Sequence, residues 1–99
     1  MSYFQNSIDF IREKFGLVNQ IRRAIISVSS NIAEGSSRST KKDQAHFYTM
    51  AYSSMIEVLS QLLISYELGY VSKSKLVEVR QEIEKVTNKL NALRNSLNL

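Results

Sequence analysis

The chain has 99 residues, 13 Lys and Arg against 9 Asp and Glu, and a formal net charge of +4. It holds no cysteine, which excludes disulfides, thiol catalysis and thiolate metal sites. It also lacks any run of about 18 apolar residues that would span a bilayer.

The apolar content of 43% is that of a folded domain, and the length argues for one, spanning residues 1–99. Proline is absent and glycine occurs three times, so there is little punctuation for short strands and long helices are favoured. Charge is distributed unevenly: residues 12–42 carry +5, residues 43–71 carry −3 and residues 72–99 carry +3. A basic half of this kind attracts polyanions and equally suits an ordinary solvated surface. The start, Met1-Ser2-Tyr3-Phe4-Gln5-Asn6, has neither the basic region nor the apolar core of a signal peptide. The expected location is the cytoplasm, with no membrane partner.

Residues 1–12, with Tyr3, Phe4, Ile8, Phe10 and Ile11, are expected to form a short arm or partial helix that packs on something else. A helix over about 14–34 follows, because Val18, Ile21, Ala24/Ile25, Val28 and Ile32 recur every three or four positions. A second line on it, Arg23, Ser27, Ser30/Asn31, Glu34 and Arg38, is polar throughout. A solvated face usually carries long flexible charges. A row of Ser and Asn between a cation and a carboxylate therefore suits either a buried hydrogen-bonded line or an exposed Ser-rich stripe. Gly35 falls where a C′ glycine ends a helix, with residues 36–40 as the loop.

The second helix, 41–68, begins after Ser39 or Thr40, either of which suits an N-cap, and stops at Gly69. Its apolar positions, Tyr48, Ala51/Tyr52, Met55, Leu59, Leu62 and Tyr66 with flanking Phe47, Ile56, Val58 and Leu63, cover more than one seam. Such a helix is central in its own fold or shared with another subunit. Ser72 caps the third helix, 73–97, in which Leu76, Val79, Ile83, Val86, Leu90, Leu93 and Leu97 keep a strict 3-4 heptad spacing. Long helices joined by short polar turns predict an all-α, antiparallel up-and-down bundle. The apolar surface left over predicts self-association.

Catalytic chemistry is not expected. His46 is the one histidine and has no second imidazole or cysteine with which to share a metal, so a surface or inter-subunit hydrogen-bonding role suits it. No serine lies in a G-x-S-x-G context and no glycine-rich phosphate loop exists, so neither enzyme activity nor a cofactor or metal is predicted. Binding is better supported. Arg38, Lys41 and Lys42 cluster around a helix N-terminus, which itself favours anions. Phe47, Tyr48 and Tyr52 follow and suit core packing or, alternatively, base stacking. Arg22 and Arg23 are adjacent and point about 100° apart, so they serve different sites. Arg23 joins the polar row with Ser27, Asn31 and Glu34, and Arg22 joins Arg38, Lys41 and Lys42 as candidate nucleic-acid contacts.

The run from Gln20 through Arg22-Arg23 to Asn31-Ile32-Ala33-Glu34-Gly35 resembles the signature of bacterial four-helix bundle proteins first noticed in intervening sequences of 23S rRNA genes. Phe15-Gly16-Leu17, Arg38 with Lys41-Lys42, Phe47-Tyr48 with Ala51, Glu57 to Leu62, Leu68-Gly69-Tyr70 and the Leu-rich close agree, so the resemblance spans roughly Phe15 to Leu97. It implies an antiparallel four-helix bundle, a homopentamer, no catalytic activity and a nucleic-acid-binding role, with RNA as the expected partner. Related bundles serve as accessory subunits of reverse transcriptases in diversity-generating retroelements, so the alternative is a protein-interaction scaffold or accessory subunit of a nucleic-acid-processing protein. The resemblance also favours the buried reading of the Arg23–Glu34 row. Two departures stand out. The first helix is short or missing, since about fourteen residues precede the Phe-Gly-Leu segment, and Ser29 stands where the family tends to have proline, which softens the kink expected there.

Overall fold

The computed structural model describes residues 3–98, with the side chains of Asp9 and residues 12–98. Among the described residues it is all-helical: α1 (Tyr3–Ser37), α2 (Lys41–Glu67) and α3 (Lys73–Asn95), with no strand. The expected arm and first helix are a single element. α1 runs 35 residues through Gly16 and Ser29 without a break. The Arg12-Glu13-Lys14 link is made of good helix formers, and one interior glycine costs only about 1 kcal/mol. The packing expected of Tyr3, Phe4, Ile8, Phe10 and Ile11 lies outside the described side chains.

The helix also outlasts its expected stop. Gly35 is helical and buried. A Cβ on it would lie 2.6 and 2.9 Å from the Tyr48 ring carbons Cε1 and Cδ1, and 3.2 Å from Phe47 Cβ. Glycine stands there so that α2 can approach, and the chain ends the helix later by other means. Ser36 Oγ donates to the Ile32 carbonyl and Ser37 Oγ to the Glu34 carbonyl, both at 2.9 Å.

The other caps follow local chemistry. Thr40 is extended and its hydroxyl accepts the Asp43 amide at 3.2 Å, so α2 starts at Lys41. Gly69, at φ +80°, ends α2: its amide donates to the Tyr66 carbonyl at 3.0 Å and that of Tyr70 to Ser65 at 2.9 Å, a Schellman pair. Ser72 caps α3 by accepting the Lys75 amide at 3.2 Å.

Contacts of α1 with α2 and the turn after it descend on one side as they rise on the other: Glu13 with Tyr70 of that turn, Gln20 with Gln61, Ser27 with Ser54 and Ser36 with Tyr48. The pair is antiparallel. α3 returns along the other side of α2 and brings Arg94 beside Thr49. Among the described residues α1 and α3 nowhere bring their Cα atoms within 8 Å of each other, so α2 is the central helix. The result is one helix thick, 58 × 23 × 14 Å, with a radius of gyration of 16.9 Å. A compact chain of this length has about 13 Å.

The core is therefore a strip. Ala24 and Val28 of α1, Ala51, Met55, Val58 and Leu62 of α2, and Leu76, Ile83 and Leu90 of α3 are buried. Burial of each larger aliphatic side chain stabilises by about 1.5–3 kcal/mol. The heptad of α3 divides here. Its Leu76-Ile83-Leu90 line is buried, while Val79 and Val86 are half-buried and Leu93 is exposed. The second line is less covered: Val79 and Val86 pack against the edge of the core and leave part of their surface open. No helix among the described residues is long and apolar enough to cross a membrane.

Candidate functional site

Arg23 and Ile25 stand about 200° apart around α1, so the helix shows different residues on the two sides of its seam with α2. On Arg23's side lies a cleft of 440 Å³ lined by Gln20, Arg23, Ala24, Ser27, Glu57 and Gln61. Two small networks furnish it. The Ser27 and Ser54 hydroxyls are 2.9 Å apart, and Asn31 Nδ2 donates to the Ser27 carbonyl at 2.8 Å and to its Oγ at 3.1 Å. Gln61 Nε2 donates to Glu57 Oε1 at 3.3 Å and reaches Gln20 Oε1 at 3.5 Å. These contacts orient the amide, because turning it over would set its oxygen against the Glu57 carboxylate. Gln61 is only 8% exposed, and its Oε1 is buried with no hydrogen-bond partner. An orphaned buried acceptor costs about 1–3 kcal/mol.

The expected row Arg23, Ser27, Asn31, Glu34 divides. Ser27 and Asn31 are half-buried and bonded to each other, whereas Arg23 and Glu34 are exposed. Glu34 Oε2 lies 3.2 Å from Arg38 Nη2 in an i,i+4 pair, and no ion pair joins it to Arg23. Eleven residues, about 16 Å of helix, separate Glu34 from Arg23, while Arg38 is one turn away. The single buried line is thus corrected to a hydrogen-bonded centre between two exposed charges.

At the α1–α2 turn, Arg38, Lys41 and Lys42 are brought together and exposed. The Arg38 guanidinium also covers the Phe47 ring at 4.5 Å, and the His46 ring meets Phe47 edge-on at 5.6 Å. No ion pair engages Lys41 or Lys42 among the described residues. Arg22 is exposed but lies sixteen residues before Arg38, about 24 Å along α1, and does not join the cluster. Tyr48 is buried against Gly35, and Tyr52 is half-buried beneath Arg94 at 5.0 Å, so both serve the packing.

Three participants escape a reading by spacing. Arg94 reaches this end only because α3 returns antiparallel, donating to Thr49 Oγ1 at 3.3 Å. Glu57 and Gln61 meet Gln20 across a seam between two helices. The available sign was Gln61 itself, an amide standing inside the apolar arc between Val58 and Leu62.

On the opposite side of the seam, Ile25, Met55, Val58, Val79, Ile83 and Val86 line an apolar groove of 210 Å³, with Glu82 as its one charged residue. The exposed Ile26, Ile56 and Val77 add further uncovered carbon surface.

No curated protein matches the chain. Residues 4–92 match the family described as 23S rRNA-intervening sequence protein, and the match takes in all of α2, nearly all of α1 and most of α3. The chain belongs to the 23S rRNA-intervening sequence protein family.

Proposed function

We propose that this chain is a non-enzymatic, self-associating helical protein of the cytoplasm that binds RNA through its basic α1–α2 turn. The observation that carries the reading is the pair Lys41 and Lys42: exposed, without ion-pair partners among the described residues, and set at the N-terminus of a 27-residue helix. Ammonium groups and the helix dipole there act in the same sense on a phosphate. Arg38 adds a guanidinium beside them, and Arg22 serves a second phosphate farther along α1. Removing contacts lowers the dependence of log K on log salt by about one unit each. Lys41→Ala with Lys42→Ala should reduce the slope for structured RNA by about two, with an unchanged melting temperature. Equal binding by the neutralised variant at moderate salt would sink the proposal.

The apolar groove and the partly open second line of α3 support self-association. A helix from a second copy seated there completes a four-helix bundle, and the homopentamer is the assembly we favour. Light scattering tests this: Val86→Glu should lower the solution mass with little loss of helix, and a monomeric unmodified chain removes the reading. The groove also supports the second reading, a scaffold or accessory subunit for a nucleic-acid-processing protein such as a reverse transcriptase. Partners that all vanish after nuclease treatment count against it.

A further inference from the structure

We propose, building on the RNA-binding reading, that the α1–α2 turn receives an unpaired RNA base, which stacks on the outer side of the Arg38 guanidinium while Lys41 and Lys42 hold the neighbouring phosphates. The occupant is thus a loop, a bulge or a single strand, and not a continuous duplex.

The three cations of this turn are held in different ways. Lys41 and Lys42 are exposed and join no ion pair among the described residues, so their ammonium groups can follow a phosphate. Arg38 is fixed. Its guanidinium lies over the Phe47 ring at 4.5 Å, and its Nη2 is 3.2 Å from Glu34 Oε2. Its backbone is tied down as well: the amide donates to the Gly35 carbonyl at 3.3 Å, and the carbonyl accepts from Gln44 Nε2 at 3.2 Å. Phe47 in turn stands where α1 and α2 approach closely, since a Cβ on Gly35 would lie 3.2 Å from its own Cβ.

Glu34 already offsets part of the charge that Arg38 would bring to a phosphate. What these contacts leave intact is a flat surface: Phe47 covers one side, Glu34 meets an edge, and the side chain is still exposed. Guanidinium planes and aromatic rings are the surfaces on which proteins stack unpaired bases. A shelf set in place before binding saves the ordering cost that a mobile arginine would meet. His46 is exposed, meets the same Phe47 ring edge-on at 5.6 Å and lies one helical turn after Lys42, so a further flat group borders the shelf on the lysine side. In a duplex the bases stack on each other, and the deep, narrow major groove keeps side chains from their edges, so the shelf has nothing to hold there.

Fluorescence anisotropy on two RNAs with equal numbers of phosphates tests the assignment: a hairpin with an unpaired loop and a fully paired duplex. The hairpin should bind the unmodified chain about tenfold more tightly. Arg38→Lys keeps the charge and removes the plane, so it should abolish that preference and leave duplex affinity and salt slope unchanged. A fluorescent adenine analogue in the loop should change its emission on the unmodified chain and not on Arg38→Lys. Phe47→Leu, which takes away the ring under Arg38, should lose the same preference, with circular dichroism melts confirming that both variants are folded. Equal binding of hairpin and duplex overturns the proposal, and so does a preference that Arg38→Lys retains. A loss in Arg38→Lys shared equally by both RNAs makes Arg38 a phosphate contact and overturns it too. In each of these cases binding through Lys41 and Lys42 stands. If neither RNA binds the unmodified chain, the RNA-binding reading falls and the shelf falls with it.

Discussion

The apolar groove and the polar cleft flank the same two helices, yet one is walled almost wholly by carbon and the other by amides, a hydroxyl and two charges that form no ion pair among the described residues. Apolar burial has no direction, so the groove rewards any helix of fitting shape. Hydrogen-bonding groups reward only a partner that meets them and penalise one that does not. The groove is therefore suited to affinity and the cleft to selection and register. Their separation across one seam lets a three-helix layer do both without placing a charge in its own core.

Substitutions can break this contrast or sharpen it. Ile83→Ala comes first: the residue is 5% exposed and lines the groove, and its loss should cost about 2–5 kcal/mol in urea unfolding. Val79→Ala on the open line should cost clearly less in an unassembled chain, and equal costs would mean that the groove is already covered. Gly35→Ala, at the end of the seam shared by both flanks, comes next. It drives a methyl into the buried Tyr48 ring, so an overpacking cost of about 1–3 kcal/mol outweighs the gain in helix propensity of about 1. A raised melting temperature would show that the helices part freely there. On the polar flank, Ser27→Ala removes the bonds to Ser54 and Asn31 and should cost about 1 kcal/mol, because those half-buried partners regain water. Glu34→Ala should have the least effect, within about 0.5 kcal/mol, since its pair with Arg38 is exposed at 55% and 43%. A larger loss, or a change in solution mass, would return Glu34 to a buried row.

What was legible in the sequence was local. Thr40, Ser72 and Gly69 mark helix ends through bonds to residues one turn away, and the heptad of α3 needs only its own spacing. Gly35 and Gly69 look alike as stops, yet Gly69 adopts a left-handed φ while Gly35 stays helical and leaves room for the Tyr48 ring thirteen residues on. Arg23 and Glu34 share a face by periodicity, but the nearer Arg38 takes the carboxylate. The separation expected between an arm at residues 1–12 and a helix from about 14 is absent, because Arg12-Glu13-Lys14 are good helix formers that carry the helix through. The cleft was invisible for another reason: Gln20, Glu57 and Gln61 become neighbours only when two helices lie side by side.

Among the described residues the backbones of α1 and α3 stay more than 8 Å apart, and this bears on how the molecule opens. α3 lies backbone to backbone with α2 and not with α1, so it can detach while the α1–α2 hairpin keeps its own seam. Its amide protons should then exchange through a partial opening, at lower free energy than those at the centre of α2. Covering Val79 and Val86 with a neighbouring copy would close that route. Slower exchange along α3 at rising protein concentration would then report assembly residue by residue, where a mass measurement reports only its total.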